Sequence, residues 1–318
     1  MVDGSVATEA KDLSIPPAGR LNGELRVKLQ GEAPLLTLLA ESTRGSSDPA
    51  SVHLRRGPGS DLGKPDLYVL AVGIDQFRDT RMNLHYAAED ARDFADRLRR
   101  QEGGLYRRVQ ILSLPNQDAT QKAILDGLNW LEREMTQRDV AVVFLSTHGS
   151  NDARGDFFLV AYDTDVSDDI SKRRTGVRYA DLRDTLAALA ERGKTLVFLD
   201  ACHSGNVVPG AKDGPADIDK VAADLAASEN GVIVFSSSTG SQLSQERDEL
   251  RHGAFTAALL EAFDGHGRAY DPPWLYVSDL DIWLRDEVKK LTHGAQTPMT
   301  SVPKERFTNP RIFRMVGN

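Results

Sequence analysis

Cys202 and His148 are the residues whose types and spacing could do chemistry together. Cys202 is the only cysteine in the chain, and it follows a run of β-branched and aromatic residues from Thr195 to Leu199. That run reads as a strand buried on both faces, ending abruptly in Asp200, Cys202 and Gly205. His148 ends a second apolar run, Val140 to Leu145, and is followed by Gly149. If the two strands are parallel neighbours, thiol and imidazole emerge side by side. A free thiol, with a pKa of ~8.5, is only slightly ionised at neutral pH, and an adjacent imidazole corrects that by taking its proton. Most lone cysteines are small buried hydrophobes. The strand-end position, the following glycine and the similarly placed histidine favour a nucleophile here. His203 is assigned a local role only.

The elements needed to hold these residues are legible on either side of them. Leu67 to Ile74 reads as a buried strand, Tyr86 to Arg100 as an amphipathic helix, Val109 to Leu112 as a short strand and Thr120 to Thr136 as a helix capped by Asp118 or Thr120. A loop holding Phe157 to Val160 follows the His148 strand. Then come a helix from Asp181 to Arg192, the Cys202 strand, a helix around Ile218 to Ala227 and a strand from Gly231 to Phe235. Helices Ala254 to Phe263 and Val277 to Leu291 close the series. Strands alternating with helices at this cadence predict an α/β domain with a mostly parallel sheet covered on both sides. In such sheets ligands lie just beyond the carboxyl ends of the strands, where both candidate residues fall. Ahead of this domain, residues 1 to 20 read as a mobile lead-in. Leu21 to Leu29, Pro34 to Ser42 and Ala50 to Arg55 read as short strands, and Gly57 to Pro65 as a linker. These strands fit either the end of an immunoglobulin-like module or an extension packed on the main body.

Composition narrows the function classes. Lys and Arg number 39 against 47 Asp and Glu, a net charge of -8, which argues against nucleic acid as a partner. Apolar runs are of strand length, so no membrane span is expected. With no signal-like segment after Met1 and a single cysteine, the reading is a cytoplasmic protein with a free thiol. Gly73 lacks the rest of a dinucleotide fingerprint, and the paired spacings that close a zinc site are missing, so no metal is assigned.

A strand ending in His148-Gly149, followed 54 positions later (202 minus 148) by one ending Asp200-Ala201-Cys202-His203-Ser204-Gly205, resembles the caspase and metacaspase clan of cysteine peptidases. In caspases a His lies about 50 residues upstream of a Gln-Ala-Cys signature. Asp200 stands where caspases carry Gln, which points to metacaspases and their bacterial relatives. The resemblance implies a three-layer αβα sandwich on a six-stranded sheet over residues 64–318, with residues 1–63 as a small β-rich appendage. It also implies a cysteine endopeptidase in which Cys202 attacks, His148 is base and then acid, and the N–H groups of Gly149 and Cys202 form the oxyanion hole.

The same resemblance supplies a specificity pocket. Tyr86 to Ala91 looks like the Cys-x-Asn-Asp segment of metacaspases, with Asp90 on the pocket aspartate and Ala87 in place of a cysteine found in some members. Ser146 matches the pocket serine and Asp200 the second aspartate. Two carboxylates in one cleft would favour a planar guanidinium, so cleavage after Arg, with Lys second, is expected. Ser236, Ser237 and Ser238 fall where the family lays its substrate beside a strand end. Calcium is the one candidate cofactor, suggested by the family and by Asp163, Asp165, Asp168, Asp169 and Asp181, although a solvated acidic loop is the preferred reading. Lys172-Arg173-Arg174 and Lys212 are expected in loops and would be self-cleavage sites. Protein or peptide substrates are the expected partners, with upstream domains or an activating protease as further candidates. The rival readings are a non-catalytic interaction module of the same fold and a thiol amidase acting on small molecules.

Overall fold

The structure, a computed structural model, describes residues 35–38, 41–42, 45–53, 63–203, 218–227, 231–238, 246–247, 249–267, 269, 271–303 and 309–315. The chain divides between Lys64 and Pro65 into two units. In the first unit β1 (Leu35–Leu38) pairs antiparallel with β4 (Ala50–His53), and β2 (Glu41–Ser42) with β3 (Gly45–Ser46). The strand expected from Leu21 to Leu29 lies outside the described residues.

The second unit is built on β5 (Leu67–Gly73), α1 (Ala87–Arg99), β6 (Val109–Pro115), α2 (Gln121–Glu134) and β7 (Val140–Asn151). After β8 (Phe157–Leu159), α3 (Asp169–Thr175), β9 (Val177–Arg178) and α4 (Tyr179–Arg192), the chain re-enters the sheet as β10 (Lys194–His203). It continues through α5 (Ile218–Leu225), β11 (Ile233–Ser236), β12 (Glu246–Arg247), β13 (His252–Gly253) and α6 (Ala254–Glu261). Last come β14 (Trp274–Tyr276), α7 (Val277–Leu291), β15 (Met299–Ser301) and β16 (Arg311–Arg314). The main path of the sheet runs β15-β11-β10-β7-β5-β6, six strands of which only β15 is antiparallel to its neighbour, and β8 and β9 extend the sheet beside the end of β7 as antiparallel additions. The α/β fold expected from the strand–helix cadence is the one observed.

Alternation along the strands makes two cores. Val143, Leu145, Val197 and Leu199 pack beneath α2, α4 and α5. Val142, Phe144, Leu196 and Phe198 pack beneath α1, α6 and α7. Each such side chain contributes about 1.5–3 kcal/mol by leaving water, so neither face of the sheet can be left uncovered. Phe94 of α1 stacks on Phe144 at 4.5 Å, and Phe198 on Phe235 at 4.9 Å. This aromatic layer lies under the strand ends that carry the candidate site.

α1 forms because Ala87, Ala91, Phe94, Ala95 and Leu98 recur at helical spacing and are buried, while Glu89 and Asp90 sit in the first turn and Arg97 and Arg99 in the last. Its approach to the sheet is set by Gly73, because a Cβ there would lie 2.1 Å from the Ala87 carbonyl oxygen and 2.7 Å from the Ala91 Cβ. α2 starts where Thr120 accepts a hydrogen bond from the Ala123 N–H, one of the two caps expected.

Two segments expected as loops are ordered elements. Phe157 to Leu159 is β8, antiparallel to the far end of β7, and the apolar run Phe157 to Val160 that contains it is short enough to read either way. Lys172-Arg173-Arg174 lies in α3. There Lys172, 2% exposed, donates to the Asn151 carbonyl at 2.7 Å, and Arg173 pairs with Asp152 at 2.6 Å. A peptidase would have to unwind α3 to reach those bonds, so the expected self-cleavage site there is withdrawn. Lys212 lies outside the described residues.

Candidate active site

The two candidate chemical residues sit on neighbouring parallel strands at the same level. In the β7–β10 register Cys202 is the partner of His148, Asp200 of Ser146, and His203 of Gly149. Paired strands lie about 4.8 Å apart. Cys202 is described here by its backbone alone. β7 is longer than β5, which stops at Gly73 opposite Ser146. From Gly149 onward the edge that β5 vacates is taken by β8, because Gly149 pairs with both His203 and Leu159. His148 therefore occupies a seam where β7 changes partners, and its carbonyl accepts from Val160 N–H at 2.9 Å.

The chain leaving β5 crosses this seam and builds the surroundings of the imidazole. Phe77 stacks on the ring at 5.3 Å and 26°. Nε2 donates to the Met82 carbonyl at 2.8 Å, which fixes the tautomer in the neutral ring and leaves the lone pair on Nδ1. Among the described residues Nδ1 has no hydrogen-bond partner. The connector is itself held by side-chain amides. Asn83 accepts from Phe77 N–H at 2.9 Å, and Asn116 from the N–H groups of Asp75 and Gln76 at 3.0 and 2.9 Å. Beside it an open hollow of about 450 Å³ is lined by Asp75, Gln76, Phe77, Asn83, His85 and Tyr162.

Burial holds the His148 pKa below the usual imidazole value, outweighing the Met82 hydrogen bond and the charge of Glu246, which both raise it. A nitrogen-detected NMR titration should place the His148 midpoint below 6.5. A midpoint at or above that value would mean the ring is solvated. Because the folded pKa is depressed, this group contributes stability above pH 6.5 that is lost as the pH falls through its folded midpoint.

The acids expected in a specificity pocket also come together. Asp90, 2% exposed, and Asp200, 4% exposed, flank Gly253. A Cβ on Gly253 would meet Asp200 Oδ2 at 3.1 Å and Asp90 Oδ2 at 3.2 Å, so glycine is what lets the backbone thread between them. Asp90 accepts from His252 Nδ1 at 2.7 Å and from Gly253 N–H at 3.2 Å, and Thr256 lies 3.5 Å from Asp200 Oδ2. Burial raises the Asp90 pKa to about 7, with the Asp200 charge adding to the rise and His252 opposing it. Ser146 is buried in register with Asp200. Ser236, Ser237 and Ser238 are buried at the end of β11, with Ser237 N–H bonded to the Leu199 carbonyl at 3.0 Å.

The acidic residues considered for calcium do not form one loop. Asp163 accepts from Gln121 N–H, Asp165 from Ser167 N–H, Asp168 caps α3, Asp169 accepts from Ala153 N–H, and Asp181 pairs with Arg178 in the first turn of α4. Each is used by local structure. Among the described residues no group of three or more His, Cys, Asp or Glu side chains is arranged to hold a metal ion.

Four contributors to the site escape sequence reasoning. A backbone carbonyl such as that of Met82 carries no residue-type signal, and Phe77 reads as one more core aromatic. His252 pairs with an acid 162 positions away. Glu246 accepts from the N–H groups of His85 at 3.0 Å and Tyr86 at 2.9 Å, capping the start of α1 from a distant segment. Only the adjacent His252-Gly253 pair just before a helix offered a visible cue.

This is a three-layer α/β protein whose candidate site lies at the carboxyl ends of its central parallel strands. The chain belongs to the caspase domain family, whose profile matches residues 67–307. Membership makes cysteine peptidase the class of activity to expect. Among solved structures, a Geobacter sulfurreducens protein determined by structural genomics is 20% identical with a TM-score of 0.56, over 79% of this chain and 100% of that one. At that identity the likeness bears on the fold alone. No curated protein matches the sequence. Among the described residues no helix is long and apolar enough to cross a membrane.

Proposed function

We propose that the chain is a cysteine endopeptidase cutting after basic residues, Arg before Lys, with Cys202 as nucleophile and His148 as base. The observation that carries this reading is the β7–β10 register, which makes His148 and Cys202 partners. In the proposed cycle Nδ1 of His148 takes the Cys202 thiol proton and the sulfur attacks the scissile carbonyl carbon. The oxyanion is held by the N–H groups of Gly149 and Cys202. The proton then passes to the leaving amine as the C–N bond breaks, leaving a thioester. Water, deprotonated by His148, releases the acid and restores the thiol. Asp90 and Asp200 supply the negative charge that selects a basic side chain, with Ser146 beside them, and the end of β11 receives the substrate backbone. Residues 64–318 are the proposed peptidase domain and residues 1–63 an appendage. A reducing, cytoplasmic setting suits the single thiol. Self-processing is proposed at Lys212.

Fluorogenic peptides ending in Arg, Lys or Asp test the reading directly. The Arg peptide should turn over fastest and the Asp peptide should not be cut. A peptidyl Arg chloromethylketone should label Cys202 and nothing in Cys202→Ala. Failure to label would favour a non-catalytic module. Faster turnover of the Asp peptide would refute the pocket assignment.

A further inference from the structure

His252 is the candidate that the geometry carries furthest. Its Nδ1 lies 2.7 Å from Asp90 Oδ1 and its Nε2 3.6 Å from Asp93 Oδ2, so one ring spans two acids spaced i,i+3 on the same face of α1. The side chain is 15% exposed. The next residue, Gly253, donates to the other Asp90 oxygen and is flanked by Asp200. The charged groups acting on the ring are Asp90, Asp93 and Glu89 from α1, while Asp200 of β10 lies against the neighbouring Gly253. Glu89 is shared with Arg92 at 3.2 Å and with Arg251 at 3.6 Å.

We propose that His252 is a specificity-determining residue: its imidazolium is a resident cation on the pocket acid Asp90, and an incoming basic side chain must displace that charge. The proposal rests on the reading of Asp90 and Asp200 as the pocket for a basic residue. A guanidinium placed near Asp90 and Asp200 is a like charge to the imidazolium, and two cations cannot share the carboxylates without cost. The ring resolves this by giving up a proton to solvent while keeping the other, so that it still donates to Asp90 as a neutral group. Atoms and charge balance: the ligand brings one positive charge in and one proton leaves. Unliganded, the ring holds its proton tightly. Burial opposes the charged form, but the hydrogen bond and charge of Asp90, backed by Asp93 and Glu89, outweigh it and raise the pKa above the usual value.

This linkage has a sign. Where His252 is protonated, binding of a basic ligand releases a proton, so affinity should rise with pH by up to about tenfold per pH unit. Asp90, itself raised to about 7 by burial, also gives up its proton when a cation binds at acid pH, so the rise should level off only above the midpoints of both groups. A neutral ligand of similar length releases nothing and shows no such slope. The pocket would then discriminate between Arg and an aliphatic side chain least at acid pH.

The test follows the His252 imidazole by NMR in the Cys202→Ala chain, with His252→Asn used to assign its resonance. Titrations are run alone, with a peptide ending in arginine, and with the same peptide ending in norleucine. With the arginine peptide bound, the His252 midpoint should fall by about one pH unit or more, and norleucine should leave it in place. A midpoint that stays or rises while the arginine peptide binds overturns the proposal but leaves the basic-residue pocket standing. If the arginine peptide binds no better than norleucine at any pH, the pocket reading itself fails.

Discussion

Replacing His148 by alanine should lower kcat/KM on an Arg peptide by about 10²–10⁴-fold, the range expected when a positioned general base is lost. The geometry makes the loss specific. The ring is clamped by Nε2 to the Met82 carbonyl and stacked on Phe77, so its remaining nitrogen is oriented before substrate arrives and water cannot readily replace it. Because thiol and imidazole act as a unit, the double variant with Cys202→Ala should be no slower than the worse single one. A fully additive loss would show that the two act independently. His148 is buried inside β7, with its ring stacked on Phe77 and bonded to the Met82 carbonyl, so the alanine variant also loses some stability. Its melting temperature is the control that it remains folded at the assay temperature.

The second large effect concerns stability. Gly73→Ala should destabilise the domain by about 3 kcal/mol, at the upper end of overpacking costs, or about 6 to 12 °C in Tm. The added methyl would meet the Ala87 carbonyl oxygen at 2.1 Å and the Ala91 Cβ at 2.7 Å. Neither is the far end of a flexible side chain, so α1 must move bodily away from β5. That helix carries Asp90, and a surviving folded fraction should therefore show a weakened preference for Arg over Lys. An unchanged Tm would mean that α1 is free to shift along the sheet.

The sheet and its helices were legible because the signals there are strong. Apolar runs such as Val140 to Leu145 are too β-branched and too evenly buried to be read otherwise, and Val277 to Leu291 has clear helical periodicity. The backbone register that sets Cys202 opposite His148 was legible for a related reason: two neighbouring parallel strands that begin level carry residues at matching positions to one level. What stayed hidden depends on contacts between distant segments. Asp90 is singled out in the sequence by the family resemblance alone, and its burial against His252 and Gly253 carries no signal there. Lys172 looks like a loop lysine because three basic residues in a row suggest solvent, whereas in the fold its ammonium group is buried against the Asn151 carbonyl and Asp169. Phe157 to Leu159 becomes a strand because the end of β7 offers an edge that β5 has vacated, a vacancy set by the relative lengths of strands far apart in sequence.

The seam at His148 joins two kinds of backbone. The residue is fixed by the rigid ladder of the sheet, whereas the groups that aim and shield its ring, Phe77 and Met82, belong to a connector between β5 and α1. Insertions, deletions or substitutions in that connector can therefore retune the basicity and direction of the imidazole without disturbing strand pairing. Proton affinity in this domain is adjustable separately from foldability, and variation among relatives in the span from residue 74 to residue 86 should track differences in pH optimum more closely than in thermal stability.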